Sequence, residues 1–240
     1  MKAMALTEQV TASRDRVKIV NYLPVIGKET IVNEIVGGLK AAPKRISPKY
    51  FYDEVGSKLF EEITRLSEYY PTRCEKQILT SLWDKLHLEF DELSIVELGS
   101  GDASKIRLLL RQIPEFHLEK ITYIPIDISK AALNWAADEL TREYPELNIH
   151  GIVADFLFDL SMIPENGQRL FCFLGGTIGN FDPDEARRFL EMLGAMMRSD
   201  DRLLLGMDMV KEFSIIESAY NDARQVTARF NKNILRVVNR

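Results

Sequence analysis

The chain has 240 residues, of which 46% are hydrophobic and 28% charged, and a net charge of −5 at pH 7. This size suits one large core, or one core with a small helical addition. The slight negative charge predicts no nucleic-acid partner. No apolar run approaches the roughly 20 residues of a membrane span, so we expect a soluble, cytoplasmic protein without membrane contacts. Cys74 and Cys172 form no CxxC pair, and predict neither a disulfide framework nor a metal site.

Residues 1–92 have the pattern of a helical cap. Apolar residues recur at helical spacing in ETIVNEIVGGLKAA and SKLFEEITRLSEYY. A further helix, PTRCEKQILTSLWDKL, begins with Pro71, which is favourable in a first helical turn. The stretch SPKYFYDEVGSKLF, residues 47–60, also holds four aromatic side chains. We predict that this part is a separate N-terminal domain.

From residue 93 the pattern changes to short apolar runs that alternate with helical segments. Five runs are typical of buried strands: SIVELGS, TYIPIDI, NIHGIVADF, RLFCFLGGT and RLLLGMDM. The helical segments between them are ASKIRLLLRQI, SKAALNWAADELTREY and DPDEARRFLEMLGAMM. This alternation predicts an α/β domain with a parallel, Rossmann-like sheet over residues 93–210. The segment SIIESAYNDARQVTARFNKNILRVVNR, residues 214–240, then has one long helical pattern without a stop signal. We place residues 211–240 in a separate C-terminal region.

The ends of the first three predicted strands carry residues that suit a nucleotide. Gly99 and Gly101, in ELGSGDASK, allow a tight turn that brings backbone N–H groups close to a ligand. Asp127 ends the second strand, where an acid accepts hydrogen bonds from ribose hydroxyls. Asp155 and Phe156 follow the third strand and could contact the edge and the face of an adenine ring. The three strand ends together predict a nucleotide site.

The choice between nucleotides depends on the glycine turn, because a dehydrogenase that binds NAD shares the spacing of turn and acid. The turn GSGDAS lacks the third glycine that packs helix against strand in NAD sites. Glu97 precedes the turn and fits an ExGxG pattern better. That pattern resembles motif I of class I methyltransferases, so we favour S-adenosylmethionine as the cofactor.

Four motifs in order make the resemblance more specific: SPKYFYDEVGSKLFEEITRLSEYYPTRCE, ELGSGDASK, FLGGTIGNF, and LLGMDMVK with AYNDARQVTARFN. Together they resemble the histidine N-alpha-methyltransferase family of ergothioneine biosynthesis, over residues from about 30 to 240. The resemblance implies a class I methyltransferase sheet, an N-terminal cap that contributes to the substrate site, and trimethylation of the α-amino group of L-histidine.

The resemblance also implies roles for single residues. The implied cofactor-binding residues are Gly99, Gly101, Lys105, Asp127, Asp155 and Phe156. The implied substrate-binding residues are Tyr69, Phe60, Gly175, Asn180, Tyr220 and Thr227. The implied catalytic residues are Asn180 and Tyr52, with Asn180 and Tyr69 at the amine and carboxylate end of the amino acid. No metal is implied.

The aromatic residues of the cap have a chemical interpretation. A fully methylated amine cannot donate a hydrogen bond, whereas aromatic faces still attract its charge. Tyr52 and Phe60 fall where the family lines the methyl-transfer site. Phe60 also lies on an apolar helical face with Ile63 and could simply fill a core. None of the three histidines, His87, His117 and His150, falls at a strand exit, so we predict no histidine base.

The resemblance implies two further strands, and residues that recognise the imidazole ring, after residue 240. We therefore expect that the chain as given binds S-adenosylmethionine but methylates histidine poorly, and that an uncovered sheet edge favours self-association. Three alternatives remain open at this point: a natural short form, an N-methyltransferase for another aromatic amino-acid derivative, and a non-catalytic cofactor-binding protein.

Overall fold

The computed structural model describes residues 9–14, 16–24, 27–157 and 159–240, and for residues 9–14 the backbone only. The first eight residues of the predicted N-terminal domain lie outside this range. Within the described residues, the strands are β1 (Gln9–Arg14), β2 (Val17–Asn21), β3 (Leu93–Leu98), β4 (Ile121–Asp127), β5 (Asn148–Val153), β6 (Gln168–Phe173) and β7 (Arg202–Leu205).

Helices connect these strands and also form a separate group. Within the described residues, the α-helices are α1 (Lys28–Lys40), α2 (Glu54–Thr64), α3 (Tyr70–Leu79), α4 (Trp83–Leu86), α5 (Ile106–Leu110), α6 (Lys130–Glu143), α7 (Pro183–Met196), α8 (Phe213–Tyr220) and α9 (Val226–Val238). Short 3-10 helices cover Pro48–Phe51, Glu115–Lys120 and Thr177–Asn180.

The strands form one sheet in the order β1-β2-β5-β4-β3-β6-β7. β1 is antiparallel to β2, and the six strands from β2 to β7 are parallel. The chain proceeds from β3 outward to β4 and β5, and then returns to the other side of β3 for β6 and β7. The point between β3 and β6 is therefore the switch point at which open α/β sheets bind ligands. The five predicted strands and the Rossmann-like α/β class are confirmed.

β1 and β2 correct the prediction that residues 1–92 are entirely helical. β2 pairs with β5 through Val17–Ile149 to Asn21–Val153, so the N-terminal segment extends the sheet. The local pattern is weak here, because β2 has only five residues and the second of them is Lys18. Its apolar side chains Ile19 and Val20 are buried, at 1% and 0% exposure, and this burial stabilises the strand.

The chain divides into two compact units, and their limits differ from the predicted boundaries near residues 92 and 210. The sheet unit consists of the described residues up to Pro24 together with Glu75–Met207. The helical unit consists of the described part of residues 25–74 together with Asp208–Arg240. The predicted boundary missed this division because residues distant in sequence pack together in both units.

The sheet unit has an apolar layer on each face of the sheet. Alternate residues of β3 face opposite layers: Leu93 and Ile95 belong to one, and Val96 and Leu98 to the other. All six residues of β3 are buried, as expected for a central parallel strand covered on both faces. An ion pair with almost no solvent exposure, Arg169–Asp201, joins β6 to the turn before β7.

The helical unit is held together mainly by α2 and α9. Its core contains Ile63, Leu66, Tyr69, Ala219, Val226 and Phe230. Asp53 caps α2 by accepting from Gly56 N at 2.8 Å, and the same carboxylate accepts from Asn233 Nδ2 of α9 at 2.7 Å. One side chain thus caps the start of α2 and also joins this helix to its neighbour α9.

Two predicted helices are interrupted in the structure. The helix predicted from Pro71 to Leu86 divides into α3 and α4, and Thr80 at the break donates its hydroxyl to Gln77 O at 2.7 Å. The long C-terminal helix divides into α8 and α9, because the Asp222 carboxylate accepts from Val226 N at 2.9 Å and Thr227 N at 2.8 Å. Short polar side chains compete with helical backbone bonds in this way.

Candidate functional site

The turn after β3 has the open backbone that the sequence predicted. Gly99 and Gly101 have φ of +72° and +54°, a region that glycine adopts without steric cost. Gly99 N donates to Ile126 O of β4 at 2.8 Å, which holds the turn against the neighbouring strand. A Cβ on Gly101 would have no heavy atom within 4 Å. The turn therefore has space beside its backbone.

Asp127 is fixed at the end of β4 by backbone donors. Its Oδ2 accepts from Gly101 N at 3.1 Å, and its Oδ1 accepts from Ser129 N at 2.8 Å. Burial raises the pKa of Asp127, and the hydrogen bonds from Ser129, Gly101 and Ile128 oppose that shift. The result is an oriented carboxylate next to the glycine turn.

Phe156 brings the exit of β5 to the same turn. Its Cε1 lies 3.5 Å from the position that a Cβ on Gly99 would take. The ring packs edge-on against Phe173, with centroids 5.6 Å apart, and against Phe189 at 6.0 Å. Asp155 precedes it and accepts from Leu157 N at 3.1 Å. The structure thus brings together the ends of β3, β4 and β5, as predicted.

Glu97 is a buried acid within β3, two residues before Gly99. It is 2% exposed, and Tyr123 donates its hydroxyl to Glu97 Oε2 at 2.5 Å. Burial raises the pKa of Glu97 to about 7. The hydrogen bond from Tyr123 and the charge of Lys105 act in the opposite direction, whereas the charges of Asp102 and Glu75 raise the pKa further. The turn motif therefore contains a carboxyl group that titrates near neutral pH.

Lys105 pairs with Glu75, a residue for which the sequence predicted no role. Its Nζ lies 2.8 Å from Glu75 Oε2, and the other oxygen of Glu75 accepts from Gly175 N at 2.6 Å. Glu75 lies in α3, in a stretch whose pattern indicated only an amphipathic helix. A lone glutamate in such a helix gives no signal of its partners, because Gly175 lies 100 residues further along the chain.

The loop after β6 carries the predicted residues Gly175 and Asn180. Gly175 has φ of +84°, and Thr177 donates its hydroxyl to Leu174 O at 2.8 Å, which closes the loop into a 3-10 helix. Asn180 ends that helix and is exposed. Both residues lie beyond the carboxyl end of β6, on the side of the switch point.

The helical unit holds the predicted aromatic residues in two groups of packed rings. Tyr52 packs edge-on against Phe60, with centroids 5.6 Å apart, and against Phe230 at 5.8 Å. Tyr69 packs edge-on against Tyr220 at 5.7 Å. Phe230 was not predicted, although its place in the motif AYNDARQVTARFN could have suggested it.

Exposure separates these aromatic residues into two kinds. Tyr52 and Tyr220 are 40% and 50% exposed, whereas Tyr69 is 6% exposed and belongs to the core of the unit. Phe60 packs against the same core, as the alternative interpretation of Phe60 required. Thr227 is buried in the first turn of α9.

The residues at the strand exits suit an adenosine-bearing cofactor. The space beside Gly101, the fixed Asp127 carboxylate and the Phe156 ring provide room, a hydrogen-bond acceptor and an aromatic surface within one group of strand ends. Three or more metal-ligating side chains do not cluster anywhere among the described residues. None of the described helices combines the length and the apolar character that crossing a membrane requires.

The fold and these exits define a Rossmann-like α/β protein with a nucleotide-type site at its switch point. The chain belongs to the family of SAM-dependent, histidine-specific methyltransferases, whose family model matches residues 31–240.

Three relatives show how far the similarity extends. A histidine N-alpha-methyltransferase of Mycobacterium tuberculosis is 41% identical over 227 residues, which cover 94% of this chain and 70% of the relative. The enzyme of the same name from Mycolicibacterium smegmatis is 43% identical, over 92% of this chain and 69% of the relative. Ergothioneine biosynthesis protein 1 of Schizosaccharomyces pombe is 32% identical, over 78% of this chain and 26% of the relative.

Proposed function

We propose that this protein transfers methyl groups from S-adenosylmethionine to the α-amino group of L-histidine, forming the trimethylated product hercynine in the ergothioneine pathway. The observation that carries the proposal is the group of strand exits in a chain of this family: the Gly99–Gly101 turn bonded to Asp127, with Phe156 against Gly99. Family membership specifies the reaction, and the geometry provides the residues for the cofactor.

Six residues of the sheet unit are proposed to hold the cofactor. Asp127 accepts hydrogen bonds from the ribose, and Asp155 and Phe156 contact the adenine. The N–H groups of the Gly99–Gly101 turn and the Lys105 ammonium bind the remaining polar groups. S-adenosylmethionine, when bound, supplies a methyl group on a positively charged sulfur. The protein contributes mainly position and the exclusion of water to such a displacement.

Each unit carries residues that we propose as contacts of the amino-acid substrate. In the sheet unit these are Asn180, at the amine and carboxylate end, and Gly175. In the helical unit they are Tyr69, Tyr220 and Thr227. The amine reacts only when unprotonated, and an amide oxygen that accepts from it orients the nitrogen lone pair. Asn180 is exposed at the end of its 3-10 helix and is available for this role.

Tyr52 is the second proposed catalytic residue. Successive methylation leaves a cation that aromatic faces attract, by about 0.5–2 kcal/mol for each ring within about 6 Å. Tyr52 is 40% exposed and is braced by Phe60 and Phe230, so its ring can meet a ligand while its orientation is fixed. Phe60 is proposed to line the same position.

The proposal is tested by incubating the protein with histidine and S-adenosylmethionine and following mono-, di- and trimethylhistidine by mass spectrometry. We expect stepwise methylation of histidine, and little reaction with tryptophan or tyrosine offered at the same concentration. Asn180→Ala should reduce kcat strongly, whereas Asn231→Ala, an exposed residue of α9, should not. Faster methylation of another aromatic amino acid would assign a different substrate.

Two finer expectations accompany this function. Both proposed substrates are small metabolites of the cell interior, so we propose a cytoplasmic location.

We also propose self-association through β7, the outermost strand on its side of the sheet, where Leu203 is 36% exposed. Light scattering during size-exclusion chromatography measures the association, and Leu203→Lys should reduce it. An unchanged mass distribution in that variant would exclude β7 as the interface.

A further inference from the structure

Glu75 lies where the exits of three strands of the sheet unit meet. Its Oε2 is 2.8 Å from Lys105 Nζ, at the start of α5 after the β3 turn. Its Oε1 accepts from Gly175 N at 2.6 Å, in the loop after β6. The same Oε1 lies 2.4 Å from where a Cβ on Gly206, directly after β7, would be placed. One carboxylate therefore contacts or borders all three exits.

Two glycines leave the space that this arrangement needs. A Cβ on Gly175 would lie 2.7 Å from Lys105 Nζ, and the residue has φ of +84°, which disfavours other side chains. A Cβ on Gly206 would overlap Glu75 Oε1 and would also lie 3.2 Å from Gly175 N. Any larger residue at position 206 would therefore displace the carboxylate.

The pair differs from the ion pairs on the protein surface. The side chains of Lys105 and Glu75 are 23% and 16% exposed, whereas those of Lys120 and Asp91 are 47% and 72% exposed. Partial burial weakens screening by water and salt, so the charges orient one another more firmly than an exposed pair would. Lys105 Nζ is thus held in one place at the ligand-binding end of the sheet.

We propose that Glu75 is a positioning residue for cofactor binding. Its carboxylate fixes the Lys105 ammonium and the Gly175 peptide relative to each other. It thereby joins a proposed cofactor contact to the loop that carries Asn180. Glu75 acts through Lys105 and Gly175, and the inference rests on the proposed function, because it assumes that these exits bind S-adenosylmethionine.

The test is calorimetric binding of S-adenosylhomocysteine to the full chain and its variants. Glu75→Gln keeps an acceptor for Gly175 N but cannot pair with the ammonium, so we expect Kd to rise about tenfold, as for the loss of one hydrogen bond to a charged group. Lys105→Gln should have a similar or larger effect. If Glu75 acts through Lys105, the double variant should bind no more weakly than Lys105→Gln alone.

A matched control and a second variant complete the test. Asp91→Asn, which breaks the exposed pair with Lys120, should bind S-adenosylhomocysteine as the unaltered chain does. Gly206→Ala leaves every charge in place but displaces the Glu75 carboxylate, so it should also raise Kd. This variant provides the test if Glu75→Gln fails to fold. The melting temperature of each variant separates lost binding from lost folding.

Several outcomes would overturn the inference. If the unaltered chain binds S-adenosylhomocysteine while Glu75→Gln and Gly206→Ala bind equally well, Glu75 has no positioning role. Fully additive effects of Glu75→Gln and Lys105→Gln would show that Glu75 does not act through Lys105. If the unaltered chain does not bind S-adenosylhomocysteine, the proposed function fails and the inference fails with it.

Discussion

Glu97 and Asp127 show how neighbouring carboxyl groups differ through their surroundings. Burial raises the pKa of Asp127, but two backbone N–H groups near the glycine turn donate to its carboxylate and oppose that shift. Glu97 lies in the apolar sheet with one hydroxyl donor, and burial raises its pKa to about 7. The first is suited to bind hydroxyl groups, whereas the second is charged or neutral depending on pH.

Asp127→Ala should weaken the binding of S-adenosylhomocysteine by about 1.5–3 kcal/mol, the contribution of hydrogen bonds to a charged acceptor. Isothermal titration calorimetry measures the change. Asp91→Ala removes an exposed carboxylate from the same unit and should leave affinity unchanged. Equal affinity in a folded Asp127→Ala variant would remove Asp127 from the cofactor site.

Glu97 should make stability depend on pH. Its folded pKa lies above the ordinary value of 4.5, so between about pH 4.5 and 7 the folded state holds a proton that the unfolded state has lost. The contribution of Glu97 to the free energy of unfolding therefore falls as pH rises from about 4.5 to 7. Above about pH 7 the folded state carries the full destabilisation of a buried, charged Glu97. Glu97→Gln removes this destabilisation. The melting temperature of the variant minus that of the unaltered chain should therefore increase from pH 5 to pH 8.

The matched control is Glu89→Gln, which changes an exposed carboxylate near β3 in the same way. Thermal unfolding of the three proteins in one buffer series provides the comparison. A difference between Glu97→Gln and the unaltered chain that is the same at every pH would show that Glu97 is not titrating in this range.

At the scale of elements, aspartate side chains stabilise the starts of α2, α7 and α9. Asp182 and Glu185 form a capping box at the start of α7, and Asp53 caps α2. Asp222 supplies both oxygens to the first N–H groups of α9 and is 3% exposed. Burial alone would raise the pKa of Asp222, but hydrogen bonds from Thr227 and Val226 keep it below its usual value.

Asp222→Ala should lower the free energy of unfolding of the helical unit by about 1–2 kcal/mol, because the α9 N-terminus loses two acceptors. Urea denaturation followed by circular dichroism measures this loss. Glu217→Ala, on an exposed position of α8, should change stability by less than about 0.5 kcal/mol. Equal stability of the two variants would mean that α9 does not depend on this cap.

At the scale of the whole molecule, ligand binding and stability are linked. A ligand that binds only the folded state at about 100 times its Kd stabilises it by about 2.7 kcal/mol. Both tryptophans, Trp83 and Trp135, lie in the sheet unit, so their fluorescence reports the unfolding of the unit proposed to bind the cofactor.

S-adenosylhomocysteine should therefore raise the melting temperature observed by tryptophan fluorescence by about 5–10 °C at saturating concentration. NAD at the same concentration should have no effect, because the turn after β3 lacks the third glycine of dinucleotide sites. A larger shift with NAD than with S-adenosylhomocysteine would reverse the assignment of the cofactor.

The five strands from β3 to β7 and the α/β class could be predicted from the sequence. The same holds for the strand exits that carry Gly99, Gly101, Asp127 and Phe156. These features are local: each strand is a short apolar run, and each candidate residue directly follows its strand. The motifs also identified the family, because their residues and spacing lie within short stretches of the chain.

Features that depend on partners distant in sequence could not be predicted and emerge in the folded chain. β2 becomes part of the sheet because β5, more than a hundred residues later, buries its apolar side chains. Glu75 meets Lys105 and Gly175, and Tyr69 meets Tyr220, although nothing in the local pattern pairs them. A local pattern reports which backbone a segment prefers, whereas packing energy depends on which surfaces the folded chain brings together.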